Sequence, residues 1–116
     1  MGRLTTHVLD TSRGEPAADV RIELQRGSAG GFTTIGEATT NADGRCDRPL
    51  LEGAALTEAD YQLLFHIGAY FRARSGAGAS PFLDIVPVRF RITSPQSHYH
   101  VPLVVTPWSY STYRGS

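Results

Sequence analysis

The feature that most narrows what this chain can fold into is hydrophobic alternation with a period of two. Val20-Arg21-Ile22-Glu23-Leu24-Gln25 sets three apolar residues against three polar ones. Val88 to Thr93 alternates in the same way, and Tyr61 to Ile67 aligns Tyr61, Leu63, Phe65 and Ile67 on one side. Side chains switch faces at every residue of a strand, so such runs bury one side only as half-covered strands. Leu4 to Asp10, Phe32 to Thr40 and Tyr99 to Thr106 are less regular candidates. Turn-forming stretches separate these runs: Ser12 to Pro16, Gly27 to Gly31, Asp43-Gly44 and Ser94-Pro95. About seven or eight short strands spaced by turns describe an all-β sandwich or barrel. A helical turn or two is expected at Gly68 to Arg74, then a flexible small-residue loop from Ser75 to Pro81.

The 116 residues fit one domain spanning 1–116. A chain of this size hides roughly two-thirds of its unfolded surface and needs no staples. Arginine supplies all 11 basic residues against 11 acidic ones, which leaves no net charge. That balance lacks the basic footprint of a nucleic-acid binder. Without lysine, neither a Schiff base nor a Walker-type phosphate site can form. The lone Cys46 excludes an internal disulfide framework and a multi-cysteine zinc site, and it fits a reducing compartment. MGRLTTHVLD has no apolar run of signal-peptide length, and no stretch nears the roughly 18 apolar residues of a spanning helix. The expectation is a cytoplasmic protein without membrane contact.

Imidazole is the side chain best suited to moving protons near neutral pH, which draws the eye to four histidines. His7 shares a strand face with Thr5 and Leu9, and His66 lies between Phe65 and Ile67. His98 and His100 form a His-x-His pair that points to one face of a strand. Each taken alone is more often structural than catalytic. The pair suggests a metal, but zinc wants three or four ligands and no neighbour in sequence completes the set. Arg45 follows the turn signal Asn41-Ala42-Asp43-Gly44, so a hairpin is expected to hold its base rigidly. A guanidinium there can bind a planar carbonyl, imide or carboxylate through paired hydrogen bonds, although a solvated surface arginine is the blander reading. No Gly-x-Ser-x-Gly elbow supports a serine nucleophile, and Cys46 has no activating context.

Chain ends are usually polar and loosely ordered. Here Trp108, Tyr110 and Tyr113 stand among the final nine residues, so the last strand is expected to stay ordered to its end. Gly115 would permit a backbone shape closed to other residues, and the Ser116 carboxylate would be held in place.

Four segments taken together resemble the transthyretin-related 5-hydroxyisourate hydrolase family: Leu4-Thr5-Thr6-His7-Val8-Leu9-Asp10, Asn41-Ala42-Asp43-Gly44-Arg45, His98-Tyr99-His100-Val101-Pro102-Leu103 and Tyr113-Arg114-Gly115-Ser116. The resemblance runs along essentially the whole chain. Its closing Tyr-Arg-Gly-Ser is the most specific piece, because transthyretin itself lacks it. The resemblance implies a transthyretin-like sandwich of two four-stranded sheets with one short helix. It also implies a homotetramer with active sites in a channel at the dimer–dimer interface. The implied reaction opens the ring of a small-molecule substrate, 5-hydroxyisourate, by C–N hydrolysis, with no metal or organic cofactor. By motif position the catalytic residues are His7, Arg45 and His100, and the substrate-binding residues are His7, Arg45, Tyr113, Arg114, Gly115 and Ser116. One histidine would be the general base and the other an orienter or acid, with Arg45 polarising the attacked carbonyl.

The strand pattern fits that picture. Tyr99, Val101, Leu103 and Val105 should face the core, and His100, Pro102, Val104 and Thr106 outward. An outward face of that composition is too apolar for bulk water and suits an oligomer surface. Two rival classes remain: a hormone carrier on the same scaffold, and an adhesive sandwich module. The polar set His7, Arg45, His100 and Tyr113 to Ser116 counts against the carrier; an adhesive module has no reason to order its C-terminal carboxylate and is usually secreted.

Overall fold

The alternating segments become strands, and their apolar sides meet between two sheets. The computed structural model describes residues 1–75 and 81–115. Residues 76–80 of the anticipated loop, and Ser116 with its carboxylate, lie outside the described residues. The strands are β1 (Arg3–Asp10), β2 (Glu15–Pro16), β3 (Arg21–Ser28), β4 (Gly31–Thr39), β5 (Leu51–Glu52), β6 (Ala59–His66), β7 (Ile85–Ile92), β8 (His98–Val105) and β9 (Tyr110–Thr112). Among the described residues one α-helix, α1 (Ile67–Ser75), follows β6 directly.

One sheet runs β4-β3-β6-β7, four strands as expected. The other runs β2-β1-β8-β9 and gains β5 as a fifth member. The addition has a simple cause, because three short segments share one edge of β1 in turn. β2 pairs with Leu9 and Asp10, Arg45 bridges to His7, and β5 pairs with Arg3 and Leu4. The opposite edge of β1 pairs in parallel with β8, so that Thr5 stands beside His100 and His7 beside Pro102.

Alternation fixes which side chains meet. Leu4 and Val8 of β1, Ile22 and Leu24 of β3, Tyr61, Leu63 and Phe65 of β6, and Leu103 and Val105 of β8 are all buried. Each such aliphatic or aromatic side chain contributes about 1.5–3 kcal/mol of transfer free energy. The helix buries Ile67, Tyr70 and Phe71, a spacing that lays one stripe on the sheets. Arg72 and Arg74 in its last turn complement the free carbonyls there. Pro102 departs from its expected outward exposure and is buried, with His7 beside it and its carbonyl accepting from the Thr112 hydroxyl at 2.7 Å.

Asp10 is a fully buried carboxylate at the end of β1, and its oxygens are well used. It accepts from the Ser12 amide at 3.0 Å, the Ser12 hydroxyl at 2.5 Å and the Tyr70 hydroxyl at 2.8 Å. The last of these ties α1 to the strand that carries His7. Asp10→Ala should strand the Tyr70 hydroxyl and cost about 2–3 kcal/mol. A lower urea midpoint at unchanged slope would register it, and an unchanged midpoint would contradict it.

Candidate active site

Three of the residues singled out in the sequence come together on the outer face of the five-stranded sheet. Odd-numbered β1 residues face away from the core, which places Thr5 and His7 on that side. Even-numbered β8 residues do the same and bring His100 next to Thr5. Arg45 arrives by the bridge to His7, and Gly115 by a bridge to His100. Two adjacent rows therefore cross the sheet, Arg45-His7-Pro102 and Thr5-His100-Gly115.

Arg45 is placed by a tight loop, not by the two-stranded hairpin its turn signal suggested. The Asn41 side-chain oxygen accepts from the Asp43 amide at 2.9 Å and the Arg45 amide at 3.2 Å. The Gly44 amide donates to the Asn41 carbonyl at 2.9 Å, and the Asn41 amide to the Arg45 carbonyl at 2.7 Å. Gly44 then accepts from the Val8 amide at 2.8 Å, which docks the loop on β1. Gly44 has φ +75, and a Cβ there would run into the Val8 carbonyl oxygen, so only glycine closes this turn. The Arg45 base is thus fixed while its guanidinium stays exposed, with no ion pair among the described residues.

Each imidazole has one nitrogen engaged. His7 Nε2 lies 2.9 Å from the Asp43 carbonyl oxygen, and His100 Nδ1 lies 2.9 Å from the Thr5 hydroxyl. Partial burial holds the pKa of both rings below the usual 6.5, and the Arg45 charge adds to it. His7 further depresses His100, while the Asp43 carbonyl partly restores His7. Both rings are therefore neutral at neutral pH and able to accept protons. A face with a fixed guanidinium and two neutral imidazoles also welcomes developing negative charge.

The other histidines stay apart. His66 is on the other sheet, where its Nε2 meets Glu23 Oε2 at 2.9 Å. His98 is exposed and offers only its backbone carbonyl, which accepts from Arg114 Nη2 at 3.1 Å. The His-x-His pair does not converge, since His100 turns to Thr5. Among the described residues no group of three or more His, Cys, Asp or Glu is arranged to hold a metal ion. Burial raises the Cys46 thiol pKa, with help from Asp47, so the thiol stays protonated and unreactive.

The tail divides. Gly115 donates its amide to the His100 carbonyl at 2.7 Å and lies against the ring. It has no positive φ, so its glycine identity serves space and not the backbone shape expected. Tyr113 and Arg114 turn elsewhere. The Arg114 guanidinium sits 4.2 Å from the centre of the Tyr99 ring, and both tail residues line a cavity of about 350 Å³ with Phe90 and Arg91. Within one protomer they do not reach the His7–His100 face. Trp108 is 70% exposed and stacks on Phe82 at 6.4 Å. Beside the imidazoles lies a hollow of about 260 Å³ lined by Arg3, Thr5, Arg45 and Arg48, among others. The Thr5 contact with His100 and the Asp43 carbonyl contact with His7 carry no signal in the sequence.

The profile of the HIUase/Transthyretin family matches residues 4–115. The 5-hydroxyisourate hydrolase of Deinococcus radiodurans is 55% identical over 113 residues, covering 97% of this chain and 95% of that protein. The crystal structure of (S)-allantoin synthase superposes with a TM-score of 0.91 at 48% identity, with 99% of this chain spanning 44% of that one. Sea bream transthyretin in complex with thyroxine superposes with a TM-score of 0.87 at 28% identity, covering 97% and 94% of the two chains.

Proposed function

Because the chain belongs to the HIUase/Transthyretin family, we propose that it is a 5-hydroxyisourate hydrolase acting as one domain over residues 1–116. The observation that carries this reading is the meeting of His7, Arg45 and His100 on one open face. Ring opening of a cyclic amide needs a base for water, a donor for the developing oxyanion and a proton for the departing nitrogen. Water's oxygen bonds to the carbonyl carbon while its proton passes to an imidazole. The C–N bond then breaks, and the nitrogen leaves with a proton as a ureido group. The new carboxylic acid ionises and releases one proton to solvent, giving 2-oxo-4-hydroxy-4-carboxy-5-ureidoimidazoline. Arg45 binds the planar substrate and polarises the carbonyl. These side chains meet the list without a cofactor. Gly115 stands at the His100 ring, Arg114 holds the tail there through the His98 carbonyl, and Tyr113 and Arg114 are substrate-binding residues by motif position. Ser116 joins them as a substrate-binding residue by motif position.

The carrier reading draws on the thyroxine-bound transthyretin neighbour. Identity of 55% to a hydrolase against 28% to that transthyretin favours catalysis. So does the cluster of two imidazoles and a guanidinium, which ring-opening chemistry needs and storage of a hormone does not.

The reading includes a homotetramer with active sites at the dimer–dimer interface. In one protomer the cluster lies on an open sheet face beside the half-buried Val104, and another copy would turn it into a channel. It also includes the cytoplasm; among the described residues no helix is long and apolar enough to cross a membrane. The deciding experiment adds the protein to 5-hydroxyisourate freshly made from urate by urate oxidase. Decay faster than the spontaneous rate is expected, and no acceleration at micromolar protein would refute the hydrolase. Light scattering should give four times the 12.6 kDa chain mass, and a stable monomer would refute the shared channel.

A further inference from the structure

We infer that the Thr5 hydroxyl is a positioning group that donates to His100 Nδ1, so that His100 works as a hydrogen-bond donor through Nε2–H while His7 is the general base. The inference rests on the hydrolase reading above and decides what each imidazole does in it.

Thr5 and His100 are direct neighbours in the parallel pairing of β1 with β8. Their side chains face the same side, and Oγ1 lies 2.9 Å from Nδ1. A threonine hydroxyl has one proton and two lone pairs, so it can either donate or accept. Among the described residues, Nδ1 is the one hydrogen-bond partner of Thr5 Oγ1. If Nδ1 carried the proton, the hydroxyl proton would have no acceptor among the described residues, in a half-buried place. Donation to Nδ1 uses it. The neutral ring then holds its own proton on Nε2, the nitrogen without a partner among the described residues.

His7 is set in the opposite sense by a different partner. Its Nε2 faces the Asp43 carbonyl oxygen at 2.9 Å, and a carbonyl only accepts. The neutral His7 ring therefore carries its proton on Nε2 and keeps a lone pair on the free Nδ1. When Nδ1 takes a proton from water, the resulting cation still donates Nε2–H to the carbonyl, now as a stronger charge-assisted bond. Both rings are thus the same tautomer and yet offer opposite ends, a lone pair from His7 and a proton from His100. The division matches the chemistry: His7 takes the proton of water and returns it to the departing nitrogen. His100 Nε2–H and Arg45 hold the oxyanion between those steps.

Gly115 completes the seat. It packs on the far side of the ring, where an added Cβ would lie 2.6 Å from His100 Cδ2. The imidazole therefore sits between a hydroxyl that orients it and a backbone that limits its swing.

The test combines ¹⁵N NMR of the histidine rings with steady-state kinetics on Thr5→Val and Thr5→Ser. In the wild type both His7 and His100 should report the Nε2–H tautomer at neutral pH. Thr5→Val keeps the shape of the side chain and loses the donor. It should move His100 toward a mixture with Nδ1–H, leave His7 unchanged, and lower kcat about 10-fold with KM nearly constant, the size expected for one neutral hydrogen bond that acts through another residue. Thr5→Ser should restore both readouts. A wild-type His100 spectrum showing Nδ1–H overturns the inference, as does a Thr5→Val protein with wild-type tautomer and kcat. If Thr5→Val fails to fold, the wild-type spectrum decides alone. Should the wild type not hydrolyse 5-hydroxyisourate at all, the functional reading fails, and the NMR result still judges the role of Thr5.

Discussion

Replacing His7, Arg45 or His100 with alanine should each lower kcat/KM on 5-hydroxyisourate by about 10²-fold or more, the usual result of removing a base or an oxyanion donor. The three sit on one sheet face in adjacent rows and act on one transition state, so their losses should not add; a double variant should fall little further than the worse single one. His66→Ala and His98→Ala are the controls. His66 is held by Glu23 on the other sheet, and the His98 imidazole projects into solvent, so neither change should cost much turnover. Equal losses at all four histidines would mean that this face is not the site.

The pH profile carries the same reading in a second measurement. A general base works only unprotonated, so activity should fall on the acid side as the imidazole charges. Burial first, and then Arg45, hold both imidazoles below 6.5, which places that fall below the pH of an ordinary histidine. Arg45→Gln removes the second cause and leaves the first. Its residual activity should fall at a higher pH than in the wild type while staying under 6.5. A limb that moves down, or does not move, would show that the guanidinium is not felt by the base.

Local pattern carried much of the architecture, and pairing across the chain carried much of the site. Val20 to Gln25, Tyr61 to Ile67 and Val88 to Thr93 announce their strands because one side of each must be buried. Two-residue strands such as β2 and β5 have no period to read, and they exist only because β1 offers them an edge. Thr5 and His100 lie 95 residues apart and meet through a parallel pairing, whose register no intervening turn dictates. From sequence, Thr5 is one more alternating residue. Arg45 is legible as a residue pinned after a turn, because Asn41 and Gly44 are local signals. Its neighbour across the bridge is not. Tyr113 and Arg114 belong to the tail motif, but the ring of Tyr99 and the His98 carbonyl draw Arg114 away from the imidazoles.

Gly115→Ala should reduce turnover by about 10²-fold with little loss of stability. The added methyl would lie 2.6 Å from His100 Cδ2 and 3.2 Å from its Cβ and Cγ, closer than carbon atoms pack. Something must move, and the tail is poorly placed to do so. It is held by the Gly115 amide on the His100 carbonyl at 2.7 Å and by Arg114 on the His98 carbonyl at 3.1 Å. The imidazole turns about its two side-chain bonds, so it yields first. A displacement of about 1 Å breaks its contact with Thr5 and misplaces Nε2, which is enough for a loss of this size. The core stays as it was, since none of its buried side chains among the described residues comes from β9 or the tail. Thermal unfolding should therefore shift by no more than a few degrees while kcat collapses. Arg114→Ala, which loosens the tail without crowding the ring, should cost far less. A Gly115→Ala enzyme with wild-type turnover would show that the tail packs beside His100 without governing where its ring stands.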